Sequence, residues 1–84
     1  MSKHAVYIVR CRDGSLYTGY AVDVEKRVAT HNTGQGAKYT RARLPVVLAY
    51  TETFETKSEA LKREYAIKQL TRAKKEQLIQ GGTS

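Results

Sequence analysis

Cysteine is nearly missing from this chain, and long apolar runs are missing altogether. The lone Cys11 rules out an intramolecular disulfide, and no Cys/His cluster has the spacing of a zinc site. Residues 5–9 are apolar, but the run is too short for a signal peptide and is soon followed by Arg10 and Arg12. No stretch approaches the ~20 apolar residues of a membrane span, so the chain reads as cytoplasmic. Acidic residues are also scarce. Eight Asp and Glu stand against 15 Lys and Arg, a net charge of +7. That excess on so small a surface favours a polyanionic partner, nucleic acid foremost, although a merely soluble basic protein or a ribosome-associated one carries similar charge. Internal repeats and linkers are absent too, so the 84 residues form one domain. A domain of this size buries only about 60% of its unfolded surface, which makes polar residues at core positions costly.

What is present is a run of clear local signals. Residues 5–12 are β-branched, aromatic and basic, and Leu16 to Tyr20 follow after Asp13-Gly14-Ser15, a hairpin signature. A two-residue Asp-Gly loop pairs Arg10 with Tyr17 and puts Tyr7 and Tyr17 on opposite faces. A three-residue loop, Asp13 to Ser15, pairs Cys11 with Tyr17 and gathers Tyr7, Cys11, Tyr17 and Gly19 on one face. Local turn preference slightly favours the first. Asp23 then caps a helix over about 24–33, closed by Gly34. Val24, Arg27, Val28 and His31 share one face of it, and the valines turn that face inward. Residues 33–45 read as a loop rich in glycine and basic residues. Val46 to Tyr50 reads as a buried strand running on toward Phe54. Thr56-Lys57-Ser58-Glu59 fits a capping box opening a long helix, on which Ala60, Glu64 and Ile67 share a stripe flanked by Leu61 and Leu70. Thr71 caps a last helix to about Gln80, ended by Gly81-Gly82 and docked by Leu78 and Ile79. The fold class is α+β, a small three-stranded, mainly antiparallel sheet flanked by helices in the order ββαβαα.

Five polar residues thus fall on inward positions: Tyr7, Tyr17, Arg27, His31 and Glu64. Each has a bland explanation. A single tyrosine is more often a packing residue, Glu64 with Arg27 also fits a buried ion pair, and His31 suits the negative end of a helix. Their coincidence is the signal. Ala5-Val6-Tyr7, followed ten residues later by Tyr17-Thr18-Gly19, resembles the paired motifs of GIY-YIG nuclease domains. Arg27, with His31 one turn on and Glu64 on a later helix, matches that family's active-site order. The resemblance spans essentially the whole chain and is nearest to short stand-alone bacterial members. Ala5-Val6 and Thr18 depart from the family pattern only at backbone and packing positions. Glu76 stands where the family often has an asparagine near the phosphate.

The resemblance implies a metal-dependent endonuclease hydrolysing phosphodiester bonds in DNA, selective for structure rather than sequence, with a place in repair or recombination. RNA as substrate, a binding protein with a weak or silent site, and an accessory module whose partner protein supplies specificity remain the alternatives. In the implied roles Glu64 holds a single Mg²⁺ or Mn²⁺ and Arg27 clamps a phosphoryl oxygen. Tyr17, Tyr7 and His31 position the water and carry its proton, with Tyr17 favoured as base and His31 supporting. A tyrosine of pKa about 10 is a poor base unless a cation lowers it. Lys38, Tyr39, Arg41 and Arg43 supply phosphate contacts and one stacking ring, or else belong to a solvated loop. The basic helix faces around Lys62 and Lys74 extend the positive surface or are simply solvated. All five inward residues are expected to line one shallow concave surface.

Overall fold

The computed structural model describes residues 3–81. Its centre is strand β1 (His4–Arg10), between β2 (Leu16–Ala21) and β3 (Val47–Phe54) in an antiparallel sheet of order β2-β1-β3. Ala5 to Val9 are all buried because β1 is covered on both faces, which is why it reads as a continuous apolar run. Val6 and Ile8 pack on one face with Ala60, Ile67 and Leu78. On the other face Tyr7 and Val9 pack with Cys11, Ala21 and Val46, flanked by Val24 and Val28.

The hairpin takes a register that neither reading of its turn predicts. Val9 pairs with Tyr17 and Tyr7 with Gly19. The loop has three residues, but they are Arg12 to Gly14: Cys11 N–H donates to Ser15 C=O at 2.8 Å and Gly14 N–H to Cys11 C=O at 2.9 Å. Gly14 sits at φ 85°, the left-handed position such a turn requires. The shift from the three-residue expectation is two residues. It changes Tyr17's partner from Cys11 to Val9 but preserves the parity, so Tyr7 and Tyr17 still share a face.

Helix α1 (Val24–Asn32) begins where the Asp23 carboxylate accepts from the Lys26 N–H, and Gly34 follows its end at φ 83°. The Asn32 side chain then bonds both the N–H and the C=O of Val46, at 2.7 and 2.9 Å, and ties this end of α1 to the start of β3. Between them the expected loop contains a single-turn helix, α2 (Lys38–Arg41). Strand β3 is not buried. It lies at an edge with Val47 60% exposed, and a bulge between Ile8 and Val9 shifts its register. Its apolar run misled because the strand pairs on one side only, leaving its first residues uncovered.

The expected capping box opens α3 (Lys57–Lys68): the Thr56 hydroxyl accepts from Glu59 N–H while Glu59 reaches back to the Thr56 N–H. Ala60 and Ile67 are buried, whereas Leu61 faces solvent. Helix α4 (Arg72–Ile79), capped by Thr71, docks Leu78 into the core. Gly81 takes φ 88° just past it, and Gly82 lies outside the described residues. The order is the expected one with α2 added. Among the described residues no helix is long and apolar enough to cross a membrane.

Candidate active site

The site is built at the β2 edge of the sheet, where the absence of a side chain at Gly19 makes room. Tyr7 lies opposite Gly19, and a Cβ there would sit 2.5 Å from the Tyr7 hydroxyl. The phenol therefore crosses its neighbouring strand and meets His31 from α1. Tyr7 Oη and His31 Nε2 are 2.8 Å apart. On its far side the imidazole Nδ1 lies 2.9 Å from the Thr40 hydroxyl, which also donates to Ala37 C=O at 2.9 Å. Gly36 passes so close to the ring that any Cβ would collide with Nδ1. Tyr7, His31 and Thr40 are 1%, 0% and 0% exposed, so this polar chain is sealed inside the domain.

Tyr17 closes the site toward solvent. Its ring lies 6.5 Å from that of Tyr7 and 5.4 Å from that of His31, and it is only partly buried. Tyr39 stacks on it at 6.0 Å, and the Arg43 guanidinium lies 4.1 Å from the Tyr39 ring centre. Arg27 comes from the same face of α1 as His31. Its Nε is buried with no hydrogen-bond partner among the described residues, a costly state for a donor. A shallow cleft of about 320 Å³ opens beside Arg27, walled by Tyr20, Val22, Lys26 and Thr30.

The electrostatics follow from this burial. Burial is the main influence raising the Tyr7 phenol above its ordinary 10.0; the Arg27 guanidinium beside it pulls the other way, and the charges of Tyr17 and Glu64 add to the rise. Burial, and then the Arg27 charge, hold His31 below its ordinary 6.5. At neutral pH the pair is therefore a neutral phenol against a neutral imidazole.

Glu64 comes within electrostatic reach of Tyr7 from α3, which packs against β1 and β2. Among the described residues it forms no ion pair with Arg27. Its carboxylate, with 17% of the side chain exposed, pairs with Lys68 at 3.0 Å, one turn on. The structural Arg27–Glu64 pair considered from sequence is thus not formed. Among the described residues no three of His, Cys, Asp and Glu come together as a metal cage. Mg²⁺ does not need one, because it keeps several waters and binds through one or two carboxylates plus substrate phosphate oxygens. A lone, partly buried carboxylate at the edge of a basic site fits that donor set. Glu76 does not join it. Its carboxylate receives both arms of Arg10 at 2.7 and 2.8 Å, and Arg72 approaches at 3.5 Å, so it fastens α4 to β1.

The five inward residues are thus gathered around one sheet edge, but they do not line one concave surface. Tyr7 and His31 lie beneath it, with Tyr17, Arg27 and Glu64 nearer solvent. Of the four loop residues, Lys38 and Arg41 stand exposed without ion-pair partners among the described residues. Tyr39 is committed to Tyr17. Arg43 is committed as well, pairing with Asp13 at 3.2 Å and donating to Tyr39 C=O at 2.7 Å. Sequence reasoning passed over Thr40 and Gly36. Both sit in a segment without periodicity, and their roles exist only once α2 folds back on His31.

The GIY-YIG catalytic domain matches residues 3–77. A UPF0213 protein of Staphylococcus saprophyticus is 66% identical over 82 residues, covering 98% of this chain and 100% of that protein. One of Staphylococcus aureus is 68% identical over 79 residues, covering 94% and 96%. The solution NMR structure of a UPF0213 protein from Bacillus halodurans has 53% identity and a TM-score of 0.60 over 92% of this chain and 82% of that one. A second solution structure, of a protein from E. faecalis, has 48% identity and a TM-score of 0.62 over 96% and 90%. A domain match of this extent agrees with the two spaced tripeptides on one hairpin and the Arg and His on one helical face. The chain belongs to the GIY-YIG catalytic-domain family.

Proposed function

We propose that the protein is a divalent-metal-dependent endonuclease that hydrolyses phosphodiester bonds in DNA, choosing substrates by structure rather than base sequence. One observation supports this above the others: a buried Arg27 Nε without a hydrogen-bond partner among the described residues, in a site that also holds Tyr7, Tyr17 and His31. A donor left unsatisfied in the free protein is suited to an oxygen that arrives with substrate, and a guanidinium fork matches phosphate. The net charge of +7 supports a polyanionic substrate. No base-reading element stands out, and structure-selective cutting fits a place in repair or recombination, with a partner protein adding specificity.

Arg27 holds the non-bridging oxygens of the scissile phosphate and offsets charge developing there. Tyr17, the tyrosine nearer solvent, is placed to orient the attacking water and, in its phenolate form, to receive its proton. Tyr7 and His31, sealed beneath, hold Arg27 and Tyr17 from below. Glu64 would hold the ion, Mg²⁺ or Mn²⁺. When bound, that ion supplies Lewis-acid stabilisation of the phosphoryl oxygens and of the leaving 3′-oxygen.

The test is cleavage of branched, nicked and single-stranded DNA with and without Mg²⁺ or Mn²⁺, beside gel-shift affinity. Wild type is expected to cleave only with metal. Glu64→Gln is expected to lose cleavage while DNA binding stays the same or strengthens, since a negative charge near phosphate is removed. Undiminished cleavage by Glu64→Gln overturns the role of Glu64. The sealing of Tyr7 and His31 from solvent favours a second reading, a binding protein with a silent site. Metal-independent binding with no cleavage on the whole panel would establish it.

A further inference from the structure

We propose that Thr40 is a positioning residue for this site: its hydroxyl locks His31 in the Nδ1–H tautomer and keeps Nε2 as acceptor of the Tyr7 phenolic proton. The consequence for catalysis rests on the nuclease reading; the tautomer does not. Thr40 Oγ1 stands 2.9 Å from Ala37 C=O and 2.9 Å from His31 Nδ1. A hydroxyl has one hydrogen, and a carbonyl can only accept. Given to Ala37, that hydrogen leaves Oγ1 as an acceptor toward the ring, so Nδ1 carries the imidazole's hydrogen. Nε2 is then bare, and the 2.8 Å contact is Tyr7 O–H donating to it.

The opposite tautomer fails on hydrogen-bond accounting. With Nε2–H donating to the phenol oxygen, the Tyr7 hydrogen needs another acceptor, and the neighbouring Arg27 guanidinium has only donors. Among the described residues no acceptor other than His31 is in hydrogen-bond contact with the hydroxyl, Tyr17 and Glu64 acting on it through charge alone. A fully buried hydroxyl hydrogen would be left without a partner. The Ala37 N–H also approaches Nδ1, but at 3.4 Å it is the longest contact of the set and a weak competitor.

In the Nδ1–H form the side-chain donors all point the same way, and only the long Ala37 N–H contact opposes them. The Arg27 guanidinium faces the Tyr7 oxygen, Tyr7 donates to His31, His31 to Thr40, and Thr40 to the backbone where α2 begins. The phenol oxygen thereby turns its lone pairs toward Arg27. Thr40 sets this direction without touching substrate. The bare backbone of Gly36 against the ring lets the segment approach closely enough for it to do so.

The decisive measurement uses the full chain without DNA or metal. Long-range proton–nitrogen correlation spectra report which nitrogen of His31 carries hydrogen, with His4→Gln separating the signals of the other histidine. Wild type and Thr40→Ser are expected to show hydrogen on Nδ1 and a bare Nε2. Thr40→Val keeps the shape without the hydroxyl and is expected to move His31 toward Nε2–H. Its cleavage with Mg²⁺ is expected to fall about 10- to 100-fold at unchanged DNA affinity, and to return in Thr40→Ser, as for other partners that fix an imidazole's tautomer.

A wild-type His31 carrying hydrogen on Nε2, or a tautomer that Thr40→Val leaves unchanged, overturns the proposal. A changed tautomer with full cleavage overturns the positioning role. If Thr40→Val does not fold, the wild-type and Thr40→Ser spectra still decide the assignment. Absence of cleavage by wild type on every substrate defeats the nuclease reading, while the tautomer continues to stand or fall on the spectra.

Discussion

Thr18 and Gly19 are adjacent in β2 but serve opposite faces of the sheet, and their demands differ accordingly. Gly19 faces the site, where any side chain would press on the Tyr7 hydroxyl. Thr18 pairs with Ile8 on the apolar face, is 3% exposed, and its hydroxyl has no partner among the described residues. A buried hydroxyl without a hydrogen bond costs about 1–3 kcal/mol. Thr18→Val keeps the branched shape and removes the polar atom, so urea unfolding is expected to show it more stable than wild type by about 1 kcal/mol. A loss of stability would mean that the hydroxyl is satisfied in solution. Because the change lies on the face away from Tyr7 and His31, cleavage is expected to stay within about twofold of wild type.

Helix α2 has one residue turned inward and two turned out, and this division sorts the basic residues around it. Thr40 enters the core, while Lys38 and Arg41 stand in solvent. Arg43, just beyond, is held between Asp13, Tyr39 C=O and the Tyr39 ring. Neutralising Lys38 and Arg41 together is expected to lower the slope of log affinity against log salt by about two units at most on duplex DNA. Arg43→Ala is expected to act differently, releasing Tyr39 from its stack and altering affinity with little change in slope. An unchanged slope in the double variant would remove α2 from the interface and point to the basic faces of α3 and α4. Sequence treated Lys38, Arg41 and Arg43 as equivalent phosphate contacts beside one stacking ring, Tyr39. Only the pairing of Arg43 with Asp13 of the hairpin turn, thirty positions away, separates them.

At the scale of the whole molecule, the buried Tyr7–His31 pair bounds the pH range of stability from both sides. His31 is held below its ordinary 6.5, so the unfolded chain binds more protons as the pH falls beneath that value. Its contribution is fully present above 6.5 and is lost as the pH drops toward the folded pKa. Tyr7 is raised above its ordinary 10.0, so the unfolded chain releases its proton first and stability falls as the pH rises past that value. Asp13 and Glu76, lowered chiefly by hydrogen bonds from Ser15 and Arg10 respectively, add a further loss at more acid pH. Urea midpoints measured from pH 5 to 11 are therefore expected to form a plateau between about 6.5 and 10, with a decline on each side. A midpoint unchanged between pH 7.5 and 5 would show that His31 does not titrate with unfolding.

The three strands and every helix but α2, the caps at Asp23, Thr56 and Thr71, and the inward stripe of α1 were determined by the sequence alone. Each rests on contacts within a few residues: a carboxylate or hydroxyl with a backbone N–H three positions on, or apolar side chains repeating with the period of their element. The five site candidates were legible for the same reason, because a polar residue on an apolar stripe contradicts its local pattern. The tertiary structure decided the rest. The hairpin turn selected a register that neither turn reading gave, two residues from the three-residue one, and pairing on one side only made β3 an edge strand. Burial put Tyr7 and His31 beneath the surface, and Lys68 rather than Arg27 took the Glu64 carboxylate. Thr40 and Gly36 reached the imidazole only through the fold of residues 33–46, whose ends Asn32 clamps onto Val46. These outcomes depend on which distant groups satisfy one another's hydrogen bonds and fill one another's space, and such matching leaves no periodic trace along the chain.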